Sequence, residues 1–238
     1  MTTKPEPTLR LACINSAAAP LFERPGAGGR RLGYEPAVGA LLADTLGWDL
    51  EWVYLPRADM LPSLDDDRAD AVLCGQSIVP TKQAVADFTA PYARFHESVL
   101  VRAGDPVTSP AGLRGKRVAA IARSTNLALA ETFDEAVTVP FSGESDDVFG
   151  EMLAALRAGD VDAVVEDHVA FLPLADSADF DLAFTVKTGN RWGLAVSKAR
   201  PSLLDALDEA LATVKADGRL AAAWDQWLPS IEYPFTAE

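Results

Sequence analysis

The feature that most constrains the fold is a segment that occurs twice. Residues 64–75 (LDDDRADAVLCG) and 156–167 (LRAGDVDAVVED) each run from a helix end through an acidic turn into Asp-Ala-Val and an apolar strand. The predicted strands and helices around the two copies also follow the same order. Strands that alternate with helices are typical of a parallel sheet covered by helices. The repetition therefore predicts two similar α/β lobes.

Apolar runs and helical spacing define the elements of each half. In the first half, strands are predicted at 9–13, 52–55 and 69–74 and helices at 36–46 and 59–64. A glycine-rich turn is predicted at 26–29, and Gly47 is expected to cap the first helix. In the second half, strands are predicted at 117–122, 137–141 and 161–165 and helices at 125–133 and 148–157.

Two apolar runs, 98–102 and 193–197, have no crossover helix after them and are predicted to be hinge strands between the lobes. Helices at 203–214 and 220–227 are expected to return to the first lobe. The expected architecture is therefore α/β, with two lobes of mixed, mainly parallel sheets joined by two hinge strands. The first lobe would comprise 1–99 and 195–238 and the second 100–194, with a ligand cleft between them.

Composition excludes several classes of function. A net charge of -14 argues against binding to nucleic acid or to an anionic membrane, which an acidic surface would repel. Cys13 and Cys74 form no CxxC pair, so neither a disulfide framework nor a thiolate zinc site is expected. Both end predicted strands, where they are interpreted as buried free thiols that could touch. No metal or organic cofactor is expected.

The sequence leaves the compartment open between two alternatives. No apolar run approaches the ~20 residues that span a bilayer. The opening MTTKPEPT lacks the basic-then-apolar pattern of a secretion signal. A signal has been removed, or the protein is intracellular.

Candidate binding residues follow the predicted strands, because ligands of open α/β sheets lie beyond the carboxyl ends of the strands. Asn15 and Arg57 follow the first two strands. After the third come Gly75, Gln76, Ser77 and Lys82, which offer close backbone approach, hydrogen-bond donors and a positive charge. This set suits a carboxylate, although a helix-capping turn with a solvated lysine would look the same.

The second lobe offers both a cation and an anion. Arg123, Ser124 and Thr125 precede a helix, where they could bind a carboxylate; helix capping alone explains the Ser and Thr equally well. Asp167 ends a buried strand and needs a cation, either a ligand ammonium or a neighbouring arginine. His168 is interpreted as an exposed histidine rather than a base. Together these groups describe a receptor for a zwitterion.

Over residues 9–228 the chain resembles the family 3 extracellular solute-binding proteins, the amino-acid receptors of ABC transporters. The resemblance rests on a series of short motifs in a fixed order. They are GYE at 33–35, LPSL at 61–64, DAVLCGQSI at 70–78, DFTAPY at 87–92, LRGKRV at 113–118, DAVVED at 162–167, GLAV at 193–196 and KADG at 215–218, with Trp227 near the end.

The resemblance implies a two-lobed periplasmic-binding-protein fold of type II, an extracytoplasmic location and an ABC permease as partner. It assigns the ligand α-carboxylate to Gly75, Ser77 and Lys82 with help from Ser124 and Thr125, and the α-amino group to Asp167. The expected partners are thus a small polar ligand, an amino acid or a derivative, and a permease. No nucleic acid is expected, and the chain is expected to be monomeric.

The chain also departs from the family pattern. Lys82 replaces the usual arginine, the aromatic usual near Ala18 is missing, Arg57 stands where an aromatic is common, and Arg123 replaces a small residue. These departures favour a ligand with an extra acceptor or acidic group. Two alternatives to transport stay open, a ligand-sensing regulatory protein and a dehydratase-like enzyme on the same scaffold. Neither a helix-turn-helix nor a kinase motif supports the first, and no HExxH, GxSxG or P-loop pattern supports the second.

Overall fold

The computed structural model describes residues 7–26, 30–145 and 147–235. The chain divides into two compact units, and the changeovers fall after Arg94 and after Asn190. The predicted boundaries, 99/100 and 194/195, lie five and four residues later. The difference arises because both connecting strands belong to the sheet of the second unit over most of their length. The predicted glycine-rich turn at 26–29 lies outside the described residues from 27 onward.

Ten strands and seven α-helices occur in the described part of the chain. The strands are β1 (Thr8–Cys13), β2 (Asp49–Tyr54), β3 (Ala71–Val72), β4 (Asp87–Phe88), β5 (Ala93–Arg102), β6 (Arg117–Ile121), β7 (Val137–Phe141), β8 (Ala163–Asp167), β9 (Phe180–Trp192) and β10 (Ala195–Val196). The helices are α1 (Tyr34–Leu46), α2 (Pro80–Gln83), α3 (Thr125–Ala130), α4 (Val148–Ala158), α5 (His168–Phe171), α6 (Pro201–Ala216) and α7 (Arg219–Trp227).

Each unit contains one mixed five-stranded sheet. In the first unit the order is β2-β1-β3-β10-β4, where β1 runs parallel to β2 and β3, and β10 runs antiparallel to β3 and β4. In the second unit the order is β7-β6-β8-β5-β9, where β6 runs parallel to β7 and β8, and β5 runs antiparallel to β8. Two similar α/β units are thus confirmed.

The helices cover these sheets as their sequences predict. In the first unit α1 packs against α6 and α7, so the last two helices do return to it. Gly47 caps α1 with φ +68°, and Gly159 caps α4 with φ +81°. Both caps adopt the left-handed conformation that glycine tolerates best. The buried Trp224 of α7 packs edge-on against Tyr34 of α1, with ring centroids 5.2 Å apart.

The repeated sequence builds the same ion pair in both units. Asp70 accepts hydrogen bonds from the backbone amide and the guanidinium of Arg10. Asp162, its counterpart in the second copy, accepts the same bonds from Arg117. Each pair ties the strand that carries the arginine to the turn before the neighbouring strand. The repetition therefore extends from the sequence to the hydrogen bonds.

Two predictions about local structure differ from the structure, and one strand was not predicted at all. The helix expected at 59–64 is two short 3-10 turns, Arg57–Asp59 and Pro62–Leu64, because Pro62 cannot continue a helix that begins before it. Within the run 193–197, only Ala195–Val196 is a strand. The long connecting strand β9 was missed: most of its side chains are at least partly exposed, and its second half is largely polar.

Candidate functional site

The first unit places a tightly held loop after β3. Gly75 has φ +57°, and a side chain there would meet the ring of Trp192 at 3.3 Å. Its amide donates to Glu35 Oε1 at 2.7 Å. This position therefore favours glycine, and the amide of Gly75, where close approach of a ligand to the backbone was predicted, already has a protein acceptor.

Gln76 and Ser77 lie in this loop, and Lys82 follows in the short helix α2. The side chain of Gln76 is buried; its Nε2 donates to the carbonyl of Cys74 at 3.2 Å, and its Oε1 accepts from Lys82 Nζ at 3.0 Å. Ser77 is also buried and forms an antiparallel bridge with Trp192. The loop thus brings the ammonium group of Lys82 next to a buried amide. Trp192, which braces the loop, was not among the predicted residues.

Asn15 and Arg57 follow β1 and β2, as predicted. Asn15 is exposed, and Arg57 is partly buried at the start of the first 3-10 turn. Burial raises the pKa of Glu35, and hydrogen bonds from Tyr92 and Gly75 and the charge of Arg57 partly offset this increase. Arg57 therefore acts electrostatically on the same region of the first unit as the Gly75 loop.

In the second unit, Ser124 in the turn before α3 makes its hydrogen bonds to the backbone of neighbouring residues. Ser124 Oγ accepts from the Leu127 amide at 3.0 Å and donates to the Ile121 carbonyl at 2.6 Å. The helix-capping interpretation of Ser124 is confirmed. Arg123 is exposed and has φ +60°, an uncommon backbone conformation for a residue with a side chain.

Thr125 and Asp167 are brought together by a residue that the sequence did not reveal. Asn190 Nδ2 donates to Asp167 Oδ1 at 3.1 Å and to Thr125 Oγ1 at 3.3 Å. Asp167 is buried, with 6% of its surface exposed. The end of β8, the start of α3 and the end of β9 therefore meet at one polar cluster in the second unit.

A second buried acid adjoins this cluster. Glu97 on β5 pairs in register with Asp167 on β8 and is only 3% exposed. Burial raises the pKa of Glu97. Its Oε1 has no hydrogen-bond partner in the part of the chain that the structure describes. Two neighbouring buried carboxyl groups, one with a free acceptor oxygen, are suited to a cation that brings its own donors.

His168 is not the exposed histidine that was predicted. It is half-buried, and its Nδ1 lies 3.2 Å from Ser98 Oγ, which in turn lies 2.8 Å from Thr185 Oγ1. Burial lowers the pKa of His168, and the charge of His96 lowers it further. The error has a simple cause: β8 passes directly into α5 at this position, so the histidine packs against β5.

A separate cavity of about 450 Å³ lies on the first unit. Its walls include Pro36 and Ala40 of α1, Trp52 of β2 and Trp227 of α7. None of the predicted binding residues lines this cavity. In the described ranges, no helix is both long and apolar enough to cross a membrane.

Comparisons with known proteins agree with this architecture. Residues 11–230 match the family described as bacterial extracellular solute-binding proteins, family 3. The ABC transporter arginine-binding protein 1 of Escherichia coli (strain K12) is 27% identical over 226 residues, covering 90% of this chain and 88% of that protein. The L-cystine-binding protein TcyJ of the same strain is 28% identical over 215 residues, covering 87% and 78%. The structure of an ancestral arginine-binding protein bound to arginine superimposes with a TM-score of 0.81 at 26% identity, covering 93% of this chain and 98% of that one.

The protein has two α/β units with mixed sheets, the first formed by two separate segments of the chain, and polar groups lie at the strand ends. These features define a two-lobed binding protein for small polar solutes. The family match covers nearly the whole chain. The chain belongs to the bacterial extracellular solute-binding proteins, family 3.

Proposed function

We propose that this solute-binding protein is a receptor for an amino acid or a close derivative. The observation that carries the proposal is the acidic cluster of the second unit, where Asp167 and Glu97 are buried side by side with Asn190 and Thr125. Buried carboxylates are costly unless a cation compensates them. A ligand ammonium group supplies that charge together with its own hydrogen-bond donors.

The first unit supplies the complementary charge. Lys82 of α2 donates to the buried Gln76, which precedes the buried Ser77 in the loop after β3. Its ammonium group and nearby polar atoms suit a carboxylate, although a lysine lacks the bidentate geometry of an arginine. We assign the ligand α-carboxylate to Ser77 and Lys82 with help from Thr125, and the α-amino group to Asp167. Because the Gly75 amide and the Ser124 hydroxyl have protein partners, these two residues shape the loops rather than donate to the ligand.

The relatives support an amino-acid ligand without fixing which one. One matched protein is named for arginine and another for cystine, so the scaffold accepts different side chains. Arg57 and Arg123 are the cationic side chains at the strand ends of this chain that the carboxylate assignment leaves unused. They favour a ligand whose side chain carries an acceptor or an acidic group.

We further propose that binding serves import. One ligand would bind first to the residues assigned to its carboxylate and then to the acid assigned to its amino group. The strands β5 and β9 would act as the hinge, so the ligand-bound form would differ from the free form. An ABC permease would recognise that form outside the cytoplasm, and the receptor would act as a monomer that does no chemistry on its ligand. The name of the matched relative as an ABC transporter protein supports this role.

A thermal-shift screen of the purified chain against amino acids and related metabolites tests the proposal. A ligand that binds only the folded state stabilises it by about 2.7 kcal/mol at a hundredfold excess over its Kd. Asp167→Asn should abolish the shift. Asp176→Asn is the matched control, because Asp176 is exposed on the same unit and undergoes the same chemical change.

Other outcomes would point to the alternatives. No shift with any amino acid would exclude an amino-acid receptor. Conversion of the ligand, followed by NMR, would favour a dehydratase-like enzyme. Retention of a soluble regulator in a pull-down, in place of a permease, would favour a sensor.

A further inference from the structure

Three potential metal ligands meet in the first unit, away from the charged groups assigned to the amino acid. Cys13 ends β1, Cys74 follows β3, and Glu35 lies in the first turn of α1. One ligand atom from each residue lies within 4.8 Å of the other two. All three residues are buried, and both cysteines are free thiols. Sequence reasoning allowed contact between the thiols but did not connect them with the glutamate.

Glu35 presents one unused oxygen. Its Oε1 accepts from the Gly75 amide and from the Tyr92 hydroxyl. Its Oε2 is buried and has no hydrogen-bond partner among residues 7–26, 30–145 and 147–235. An unpaired, fully buried carboxylate oxygen costs free energy, and a bound cation would remove that cost. The two bonds to Oε1 would then orient the carboxylate, as outer-shell hydrogen bonds do at metal sites.

The two thiols interact directly. A hydrogen bond from the Cys13 thiol to the Cys74 sulfur lowers the pKa of Cys74, and burial together with that same bond raises the pKa of Cys13. The two sulfur atoms also lie within 4.8 Å of each other, so both can reach one ion once they are deprotonated to the thiolates that bind metal. The charges of Arg31 and Arg57 also act on this region. They would offset the negative charge that a site with two thiolates and one carboxylate keeps after a divalent ion binds.

We propose that Cys13, Cys74 and Glu35 form a binding site for a thiophilic divalent cation, with Zn²⁺ as the ion whose ligand preferences fit best. Two thiolates and one carboxylate are a donor set that Zn²⁺ accepts, whereas Mg²⁺ and Ca²⁺ prefer oxygen ligands alone. Zinc bonds of about 2.0–2.3 Å place ligand atoms roughly 3.5–4 Å apart, so small side-chain rotations complete the site. Binding replaces two S–H bonds by two Zn–S bonds and releases both protons to the buffer.

The site lies directly beneath the loop proposed to bind the ligand carboxylate, because Glu35 holds that loop through the amide of Gly75. The metal site goes beyond the proposed function and does not depend on it. Its test uses metal ions alone and gives the same answer whether or not an amino acid binds.

The experiment is a Co²⁺ titration of the reduced, metal-free protein, followed by competition with Zn²⁺. We expect a thiolate-to-cobalt charge-transfer absorption that saturates at one ion per chain and disappears when Zn²⁺ is added. Calorimetry in buffers of different ionisation enthalpy should show release of at least two protons per Zn²⁺. Cys13→Ser and Cys74→Ser should each weaken binding by more than about 100-fold, the upper end of what loss of an outer-shell partner costs.

Glu35→Gln is the sharper variant, because glutamine keeps an acceptor for Gly75 and Tyr92 but has no second carboxylate oxygen. We expect it to weaken Zn²⁺ binding by about 10-fold or more. Met60→Leu is the control, since it removes a buried sulfur near Gln76 that lies outside the three-residue cluster, and it should leave the titration unchanged. Circular dichroism checks that each variant is folded. If a variant does not fold, a Zn²⁺-dependent rise in the Tm of the unmodified protein is the second readout.

Three results would overturn the proposal. The first is the absence of a charge-transfer band in protein whose two thiols are shown to be free. The second is equal Zn²⁺ affinity in folded Cys13→Ser and in the unmodified chain. The third is a Cys13–Cys74 disulfide that re-forms after reduction faster than metal binds, which would assign the pair to a disulfide.

Discussion

Replacing Asp70 by alanine removes the centre of the ion-pair cluster in the first unit. The carboxylate is 7% exposed and accepts from the Arg10 amide at 2.8 Å and from the Arg10 guanidinium at 3.0 and 3.1 Å. Arg200 also donates to it. Burial alone would raise the pKa of Asp70, but these hydrogen bonds outweigh it, so the pKa is lowered. The folded state therefore stabilises the ionised carboxylate.

The cost of the change can be worked out from these contacts. Leaving the partly buried Arg10 amide without an acceptor costs about 1–3 kcal/mol. The arginine side chains are 29% and 40% exposed, so their lost ion pairs add only about 1 kcal/mol. We therefore expect Asp70→Ala to lower the free energy of unfolding by about 2–4 kcal/mol. At an m-value of about 2 kcal/mol/M, the urea midpoint falls by about 1–2 M.

Tryptophan fluorescence is the assay, because it reports on the first unit alone. All five tryptophans belong to that unit; they are Trp48, Trp52, Trp192, Trp224 and Trp227. Asp162→Ala, the matched change in the second unit, should leave the fluorescence midpoint nearly unchanged and shift the circular dichroism transition. A fluorescence midpoint within about 0.25 M of the unmodified protein, equivalent to about 0.5 kcal/mol, would refute the role assigned to Asp70.

Three further predictions follow from the same contacts. Hydrogen bonds from Arg117 lower the pKa of Asp162, so the stabilisation that Asp162 gives is present above its ordinary pKa of 3.8 and is lost as the pH falls below that value. Urea midpoints measured by circular dichroism should therefore depend less on pH in Asp162→Asn than in the unmodified protein. An unchanged pH dependence would contradict this. Gly75→Ala should lower the free energy of unfolding by about 1–2 kcal/mol because of its positive φ, and further because the new methyl group would crowd Trp192. Gly47 has a similar φ with open space around it, so Gly47→Ala should lose only the conformational part. Equal urea midpoints for the two variants would contradict this prediction. Arg57→Ala should weaken binding of ligands with acidic or amide side chains in calorimetry, and unchanged affinity would show that Arg57 does not read the side chain.

Much of the fold could be predicted because the repeated segment carries strong local signals. An apolar strand after an acidic turn fixed β3 and β8 to within a few residues, and Gly47 marked the end of α1. The long strand β9 could not be predicted in this way. It lies at the edge of its sheet, and the apolar alternation of its first half gives way to a largely polar second half that includes Asn190 and Arg191.

The candidate residues selected from the sequence are those that follow predicted strands, and their binding roles stay predictions. Gln76, Ser77 and Lys82 lie in one short stretch of sequence after β3, so a strand end and a positive charge were enough to select them as candidates. Glu97 lies within a largely buried strand, and Asn190 ends the strand that was missed. Their meeting with Asp167 depends on sheet register, which a sequence pattern does not specify.

The central claim is that a buried acid of the second unit binds the amino group of an amino acid. Calorimetric titration of the unmodified protein, Asp167→Asn and Asp176→Asn with the amino acid found in the screen tests it most directly. Loss of a charge-assisted bond to a buried partner costs about 2–5 kcal/mol, so Asp167→Asn should weaken binding by more than about 30-fold while Asp176→Asn binds normally. Equal affinity of all three proteins, with Asp167→Asn folded, would contradict the account.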